Sequence, residues 1–517
     1  MVQLAVTTED PLESKADLVI FACAEGDLGA GGLLDRLDGS VGGALRRAMV
    51  DERFRAKPGQ SISLHMAAPS ASVDAAPRRI ALVGLGGSDA DGGQASNGAA
   101  WTRALRAAAG TSVRLASSAG AKSIAFAWSS AVSAADAIVP ALQAAAEGAL
   151  LGIYRFDKYL TDERNRPSTL AEVTLCAPRR LDSADVESAL GRARSTARAV
   201  ARARDLVNEP AGQMTPTRLS STVRGWVEEL GSAPLALEVL DRAACEKLGM
   251  GLFLAVARGS VEEPRFVHLA WTPPDARKRV VLVGKGVTFD SGGLSLKTNE
   301  GMLDMKTDMA GAAAVVAATV AAAEEKLPVE VHALAACTEN MPSGSAYKLG
   351  DVIRSMAGKT VEITNTDAEG RLTLADALTF GLRLKPDMLL DFATLTGACV
   401  VALGPHTAGL MSNDDGVANA FLGAAARAGE EVWRLPLPPR LAEQLKSEIA
   451  DMKNTGERWG GALTAGLFLK EFVGKAPWAH VDIAGPSSAG KESGHVSKGG
   501  TGFAVASILE LLRRDAV

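Results

Sequence analysis

From residue 265 onward, strand-like and helix-like runs alternate, and that alternation constrains the fold more than any other feature of the chain. Apolar, β-branched runs fall at 265–270, 280–283, 329–335, 360–364 and 388–393. Helix-like runs rich in Ala and Leu fall at 311–323, 372–381, 418–428 and 463–473. Parallel strands need a crossover, usually a helix, so this half predicts a mainly parallel sheet covered by helices. Ligand sites on such sheets lie beyond the carboxyl ends of the strands. The earlier part repeats the pattern more loosely, with strands expected at 16–22 and 79–84 and helices at 97–109 and 132–150. Gly84-Leu85-Gly86-Gly87 lacks the Lys-Ser/Thr of a phosphate loop and reads as a strand-exit turn.

At 517 residues the chain exceeds one ordinary core, so two α/β domains are expected. A long Ala/Arg-rich helical pattern ends at Asn208-Glu209-Pro210, because the residue before a proline disfavours helix. The expected division is 1–182, a connecting helix over 183–206, and 207–517, with Thr215 or Thr217 capping the next helix.

The net charge of −5, spread as mixed signs, gives no general pull toward nucleic acid or anionic lipid. Met1 to Pro11 has neither a basic nor an apolar leader region, and no uninterrupted apolar run reaches about 18 residues, so neither export nor a membrane span is expected. Cys23, Cys176, Cys245, Cys337 and Cys399 are odd in number and widely spaced. They read as buried, reduced residues of a cytoplasmic protein. Six scattered histidines with no H-x-x-x-H spacing argue against a histidine-type zinc site.

Two stretches carry chemistry. In 363–371, Ile363, Thr364 and Thr366 favour extended backbone, which would project Asp367, Glu369 and Arg371 to one side. Two carboxylates so close repel unless a cation lies between them. In the second stretch the buried strand 280–283 runs into a glycine-rich exit loop holding Lys285 and Asp290, with Lys297 shortly after. Asp308 then precedes an Ala-rich helix, where a carboxylate is favoured. Taken singly, each of these residues reads equally well as a solvated charge or a turn cap. Together, at one expected rim, Asp290, Asp308, Asp367 and Glu369 suit two divalent cations, and Lys285, Lys297 and Arg371 add three positive charges. A dication could displace the proton of a buried lysine and make it a ligand.

Asn365-Thr366-Asp367-Ala368-Glu369-Gly370-Arg371-Leu372 resembles the signature of the leucine aminopeptidase (cytosol aminopeptidase) family. Gly284-Lys285-Gly286, Asp290-Ser291-Gly292-Gly293, Lys297 and Met305-Lys306-Thr307-Asp308-Met309 resemble its other active-site segments. Further matches are Asn208-Glu209-Pro210, Thr394-Leu395-Thr396-Gly397-Ala398, Ala450-Asp451-Met452-Lys453-Asn454, His480-Val481-Asp482-Ile483-Ala484-Gly485 and Lys498-Gly499-Gly500-Thr501-Gly502-Phe503, so that the resemblance covers the chain in order from about 200 to its end, with Gly500 where alanine is expected.

The resemblance implies an aminopeptidase that releases Leu-like N-terminal residues from peptides by attack of a water activated between two metal ions, manganese or zinc. Carried over residue by residue, Lys285, Asp290, Asp308 and Glu369 would hold one ion, and Asp290, Asp367 and Glu369 the other. Lys297 and Arg371 would be catalytic, Arg371 holding a bicarbonate that shuttles the proton. Met305, Thr394, Gly397 and the Leu395 backbone would line the pocket for the first side chain. A cytoplasmic homohexamer is implied, with the N-terminal domain serving assembly or regulation. A phosphoesterase on a similar scaffold would want more basic groups than this site offers. Nucleic acid as a main partner is disfavoured by the acidic balance, and a catalytically dead scaffold by the intact charged set.

Overall fold

A computed structural model describes residues 2–29, 33–65, 79–86, 97–129, 137–162, 168–231 and 234–514. The chain divides into two compact units, Met1–Arg198 with Lys491–Lys498, and Ala199–Gly490 with Gly499–Val517. The helix Ser183–Asn208 carries the division.

The first unit is built on β1 (Gln3–Thr7), β2 (Leu18–Ala24), β3 (Ser61–His65), β4 (Arg79–Gly86), β5 (Ser123–Trp128) and β6 (Glu172–Cys176). They form one sheet in the order β1-β6-β5-β2-β4-β3, parallel except for β3 against β4. Alternate residues of β2 go to opposite faces: Leu18, Ile20 and Ala22 pack with the helices Asn97–Ser118 and Ile138–Gly152, while Val19, Phe21 and Cys23 pack with Leu37, Leu45 and Met49. Gly84 and Gly86 lie inside β4 rather than in the exit turn the sequence suggested, and Gly87 is outside the described residues. A Cβ on Gly84 would stand 2.2 Å from Lys57 O, so close backbone packing, not a turn, requires that glycine.

The second unit supplies β7 (Leu235–Leu240), β8 (Arg265–Trp271), β9 (Arg279–Asp290), β10 (Glu330–Asn340), β11 (Val352–Arg354), β12 (Thr360–Glu362), β13 (Met388–Ala393), β14 (Thr407–Ser412), β15 (Glu431–Arg434), β16 (Met452–Lys453) and β17 (Trp478–Asp482). Eight of them form one sheet, β15-β14-β17-β13-β9-β10-β8-β7. Its centre, β17-β13-β9-β10, is parallel, and antiparallel pairs flank it. β11, β12 and β16 make a small separate sheet. The helix Ala310–Glu324 is buried along almost its whole length against the large sheet, with Gly284 admitting it: a Cβ there would lie 2.5 Å from Ala312 backbone atoms. Met305–Glu324 is the one stretch among the described residues long and apolar enough to cross a membrane, and 94% of its apolar window is buried inside the protein.

Candidate metal centre

The glycine-rich segment after Val283 is strand as far as Asp290, and only Ser291-Gly292-Gly293 leave it as a turn. β9 continues as a strand to Asp290, because β10 pairs beside it as far as Asn340, across a bulge between Thr338 and Glu339. Lys285 is therefore fixed mid-strand and Asp290 at the strand's carboxyl end. The segment 363–371 also differs from its expected form. β12 stops at Glu362, a turn holds Thr366 and Asp367, and the helix Gly370–Arg383 begins directly after Glu369. Asp367 and Glu369 converge through that turn rather than by strand alternation, and Arg371 stands in the first turn of the helix. Thr366 anchors the segment by donating to Gly292 O at 2.7 Å while receiving Ser295 N at the same distance.

Asp290, Asp367 and Glu369 each bring a carboxylate oxygen within 4.8 Å of the others. Lys285 Nζ lies 2.7 Å from Asp308 Oδ1, 2.8 Å from Glu369 Oε1 and 3.0 Å from Thr394 O. Lys297 Nζ sits 2.9 Å from Asp290 Oδ2 and also contacts Asp367 Oδ1. Lys285, Asp290, Asp308 and Glu369 are buried, Asp367 is half-buried, and Lys297 reaches in from the open side. Thr394 Oγ1 donates to Asp308 Oδ1 at 2.7 Å. Leu395 N and Thr396 Oγ1 donate to the two oxygens of Asp482, which fixes the loop ahead of Gly397. Met305 is half-buried in the short turn that leads to Asp308.

Burial raises the carboxyls of Asp308 and Glu369 above the usual range, and neighbouring carboxylates add to the rise. Burial alone would lower Lys285, but Asp308, Glu369 and Asp290 outweigh it and keep the ammonium charged. Lys297 is held up the same way by Asp290 and Asp367. Arg371 is lowered by burial to about 10, so it remains a cation at neutral pH. Its Nη1 donates to Asn454 O at 2.8 Å, and its Nε has no partner.

The donor set fits divalent cations. Asp308 Oδ2 and Glu369 Oε2 are buried and accept no hydrogen bond, and Glu369 Oε1 meets Lys285 outside hydrogen-bonding geometry. Buried carboxylate oxygens left this way are costly unless a cation meets them. The residues expected as ligands or catalytic groups lie around this one rim. Sequence reasoning missed Asn340, Asn454 and Asp482, which hydrogen-bond the segments carrying them. Asn454 Oδ1 receives Thr364 N at 2.8 Å, and its Nδ2 donates to Asn365 O at 2.6 Å. Asn454 and Asp482 did fall in segments resembling the family; Asn340 gave no signal.

An α/β sheet with a parallel centre that gathers four carboxylates and two lysines at one rim has the make-up of a metal-dependent hydrolase. Residues 201–509 match the cytosol aminopeptidase family, catalytic domain, and residues 19–163 its N-terminal domain. A probable cytosol aminopeptidase of Synechococcus sp. (strain JA-3-3Ab) is 44% identical, covering 90% of this chain and 89% of that protein. One from Geobacter sp. (strain M21) is 40% identical over 99% of this chain and its own whole length. Among solved structures, a mutant of tomato leucine aminopeptidase superposes with a TM-score of 0.88 at 34% identity, covering 99% of this chain and 97% of its own. The bottromycin maturation enzyme BotP in complex with Mn gives 0.80 at 39% identity, over 97% of this chain and all of its own. The chain belongs to the cytosol aminopeptidase family. It is a hydrolase, a metallo-aminopeptidase that acts on the N-termini of peptides.

Proposed function

We propose that Lys285, Asp290, Asp308 and Glu369 hold one divalent cation, that Asp290, Asp367 and Glu369 hold a second, and that Lys297 and Arg371 act on the peptide. The observation that carries this reading is the approach of three carboxylates to within 4.8 Å with buried oxygens left unpartnered. Manganese or zinc suits the mixed oxygen and nitrogen donors, and the manganese of the similar BotP complex favours the first. Bound there, such ions would supply Lewis acidity and a water that ionises near neutral pH.

The chain's own side chains do the rest. Lys297, on the open side, offers a fixed positive charge to the oxyanion that develops on the attacked carbonyl. Arg371 cannot act as a base, because it stays protonated. With one nitrogen anchored on Asn454 O, its guanidinium presents a fork for a planar anion of bicarbonate size. Met305, Thr394, the Leu395 backbone and Gly397 line the pocket for the first side chain, an apolar setting that favours Leu-like residues.

We also assign the N-terminal domain (1–182), joined through 183–206 to the catalytic domain (207–517), to assembly or regulation rather than chemistry. The same reading makes the protein a cytoplasmic homohexamer, as the resemblance to the family implies. Sedimentation of the purified chain would measure that assembly.

The decisive experiment is metal analysis of the purified protein beside hydrolysis of leucyl amides with and without chelator. Glu369→Ala and Asp290→Ala should abolish hydrolysis and lower bound metal, whereas Lys297→Ala should abolish hydrolysis with metal largely retained. Full activity in Glu369→Ala would overturn the assignment.

A further inference from the structure

Asn340 ends β10 directly opposite Asp290, its register partner on β9. Its side chain is wholly buried. Nδ2 donates to Asp290 Oδ1 at 2.8 Å and to Thr366 O at 3.0 Å. Those two acceptors stand on the separate segments whose carboxylates meet: Asp290 ends β9, and Thr366 immediately precedes Asp367. One amide therefore joins both halves of the cluster.

Asp290 Oδ1 also accepts Gly292 N at 2.8 Å. Two neutral donors on one oxygen stop the carboxylate from rotating and leave Oδ2 for Lys297 Nζ at 2.9 Å. The amide cannot be turned over, because its carbonyl would then oppose a carboxylate and a backbone carbonyl. Gly293 makes room for it: at φ +63° a Cβ would stand 2.8 Å from Asn340 Oδ1. Tyr347 Oη donates to the same Thr366 O at 2.7 Å but has no bond to Asp290.

We propose that Asn340 is a positioning residue for the metal centre, which selects the oxygen that Asp290 presents and sets its spacing from Asp367 and Glu369. The inference rests on the metal reading above. Hydrogen-bond partners behind a ligand typically change metal affinity by about 10- to 100-fold when removed.

The test is calorimetric titration of the metal-stripped full chain with Mn2+, beside kcat measured across Mn2+ concentration. Asn340→Ala should raise the Mn2+ dissociation constant by about 10- to 100-fold, with kcat recovered at saturating Mn2+. A merely structural role would not be rescued by added metal. Tyr347→Phe removes the other donor to Thr366 O and should leave the dissociation constant unchanged. Wild-type affinity in Asn340→Ala, or equal weakening in Tyr347→Phe, overturns the proposal. Asn340→Ser is read by the same limits should the alanine variant not fold. If neither folds while Tyr347→Phe does, Asn340 is structural and the proposal fails. A wild-type chain that binds no Mn2+ would overturn the metal reading itself, and this inference with it.

Discussion

Gly370 sits between the acids and the arginine of the site, and its reason for being glycine lies in another segment. A Cβ there would come within 2.6–2.9 Å of the end of the Lys285 side chain, which is buried and pinned between Asp308 and Glu369. Gly370→Ala should therefore displace Lys285, cost about 1–3 kcal/mol of stability, and lower kcat/KM by at least tenfold. Urea unfolding and leucyl amide kinetics check both; wild-type kinetics would show that the Lys285 position does not matter. Gly500 is a similar case, since a Cβ would meet Val207 Cγ1 at 2.7 Å, so this chain has no room for the expected alanine. The seven charged residues were legible in sequence because ionisable groups crowded at strand ends demand counter-charges. Asn340 was not legible: a neutral amide carries no such demand, and its partners lie 50 and 26 positions away.

Among the elements, β13 was legible to the residue, since its run is too short for a helix and is bounded by Pro386-Asp387 and Thr394. β9 and β10 extend well beyond their apolar runs, because each is paired by its neighbour regardless of propensity. Glycines in β9 looked like loop residues, yet Gly284 packs under the helix Ala310–Glu324 and Gly286 against Ala336 and Cys337 of β10. The turn over 363–369 was misread as strand because its β-branched residues imitate one; tertiary bonds from Thr366 and Asn454 bend it instead. The distinction is testable. Gly284→Ala puts a Cβ 2.5 Å from backbone atoms of Ala312, which no side-chain rotation relieves. It should destabilise the protein by about 3 kcal/mol or more and lower the urea midpoint. In an exit loop the same change would be nearly neutral, so an unchanged midpoint would contradict the strand.

At the scale of the whole molecule, the balanced composition predicted little about response to pH, and the six histidines looked unrelated. Sheet register brings two of them together: His268 on β8 and His332 on β10 are diagonal neighbours, with Nε2 and Nδ1 2.9 Å apart. His332 Nε2 meets Glu330 Oε1 at 2.8 Å, Glu330 pairs with Arg279, and Glu238 lies 3.7 Å from His268 Nδ1. Burial, with His332 adding to it, lowers His268 from 6.5 to about 4. Between those values the unfolded chain holds a proton at residue 268 that the folded chain does not, so unfolding takes up a proton and stability falls as pH falls. Above 6.5 both states are neutral there and the contribution is constant. The drop amounts to about 3 kcal/mol over the window, on top of whatever the carboxylates contribute. Calorimetric Tm measured from pH 7.5 to 4 should therefore decline less steeply in His268→Gln than in wild type, with the two curves converging toward acid. The carboxylates are common to both proteins, so the difference isolates the histidine; parallel curves would mean that the pair is protonated in the folded state and that burial does not govern it.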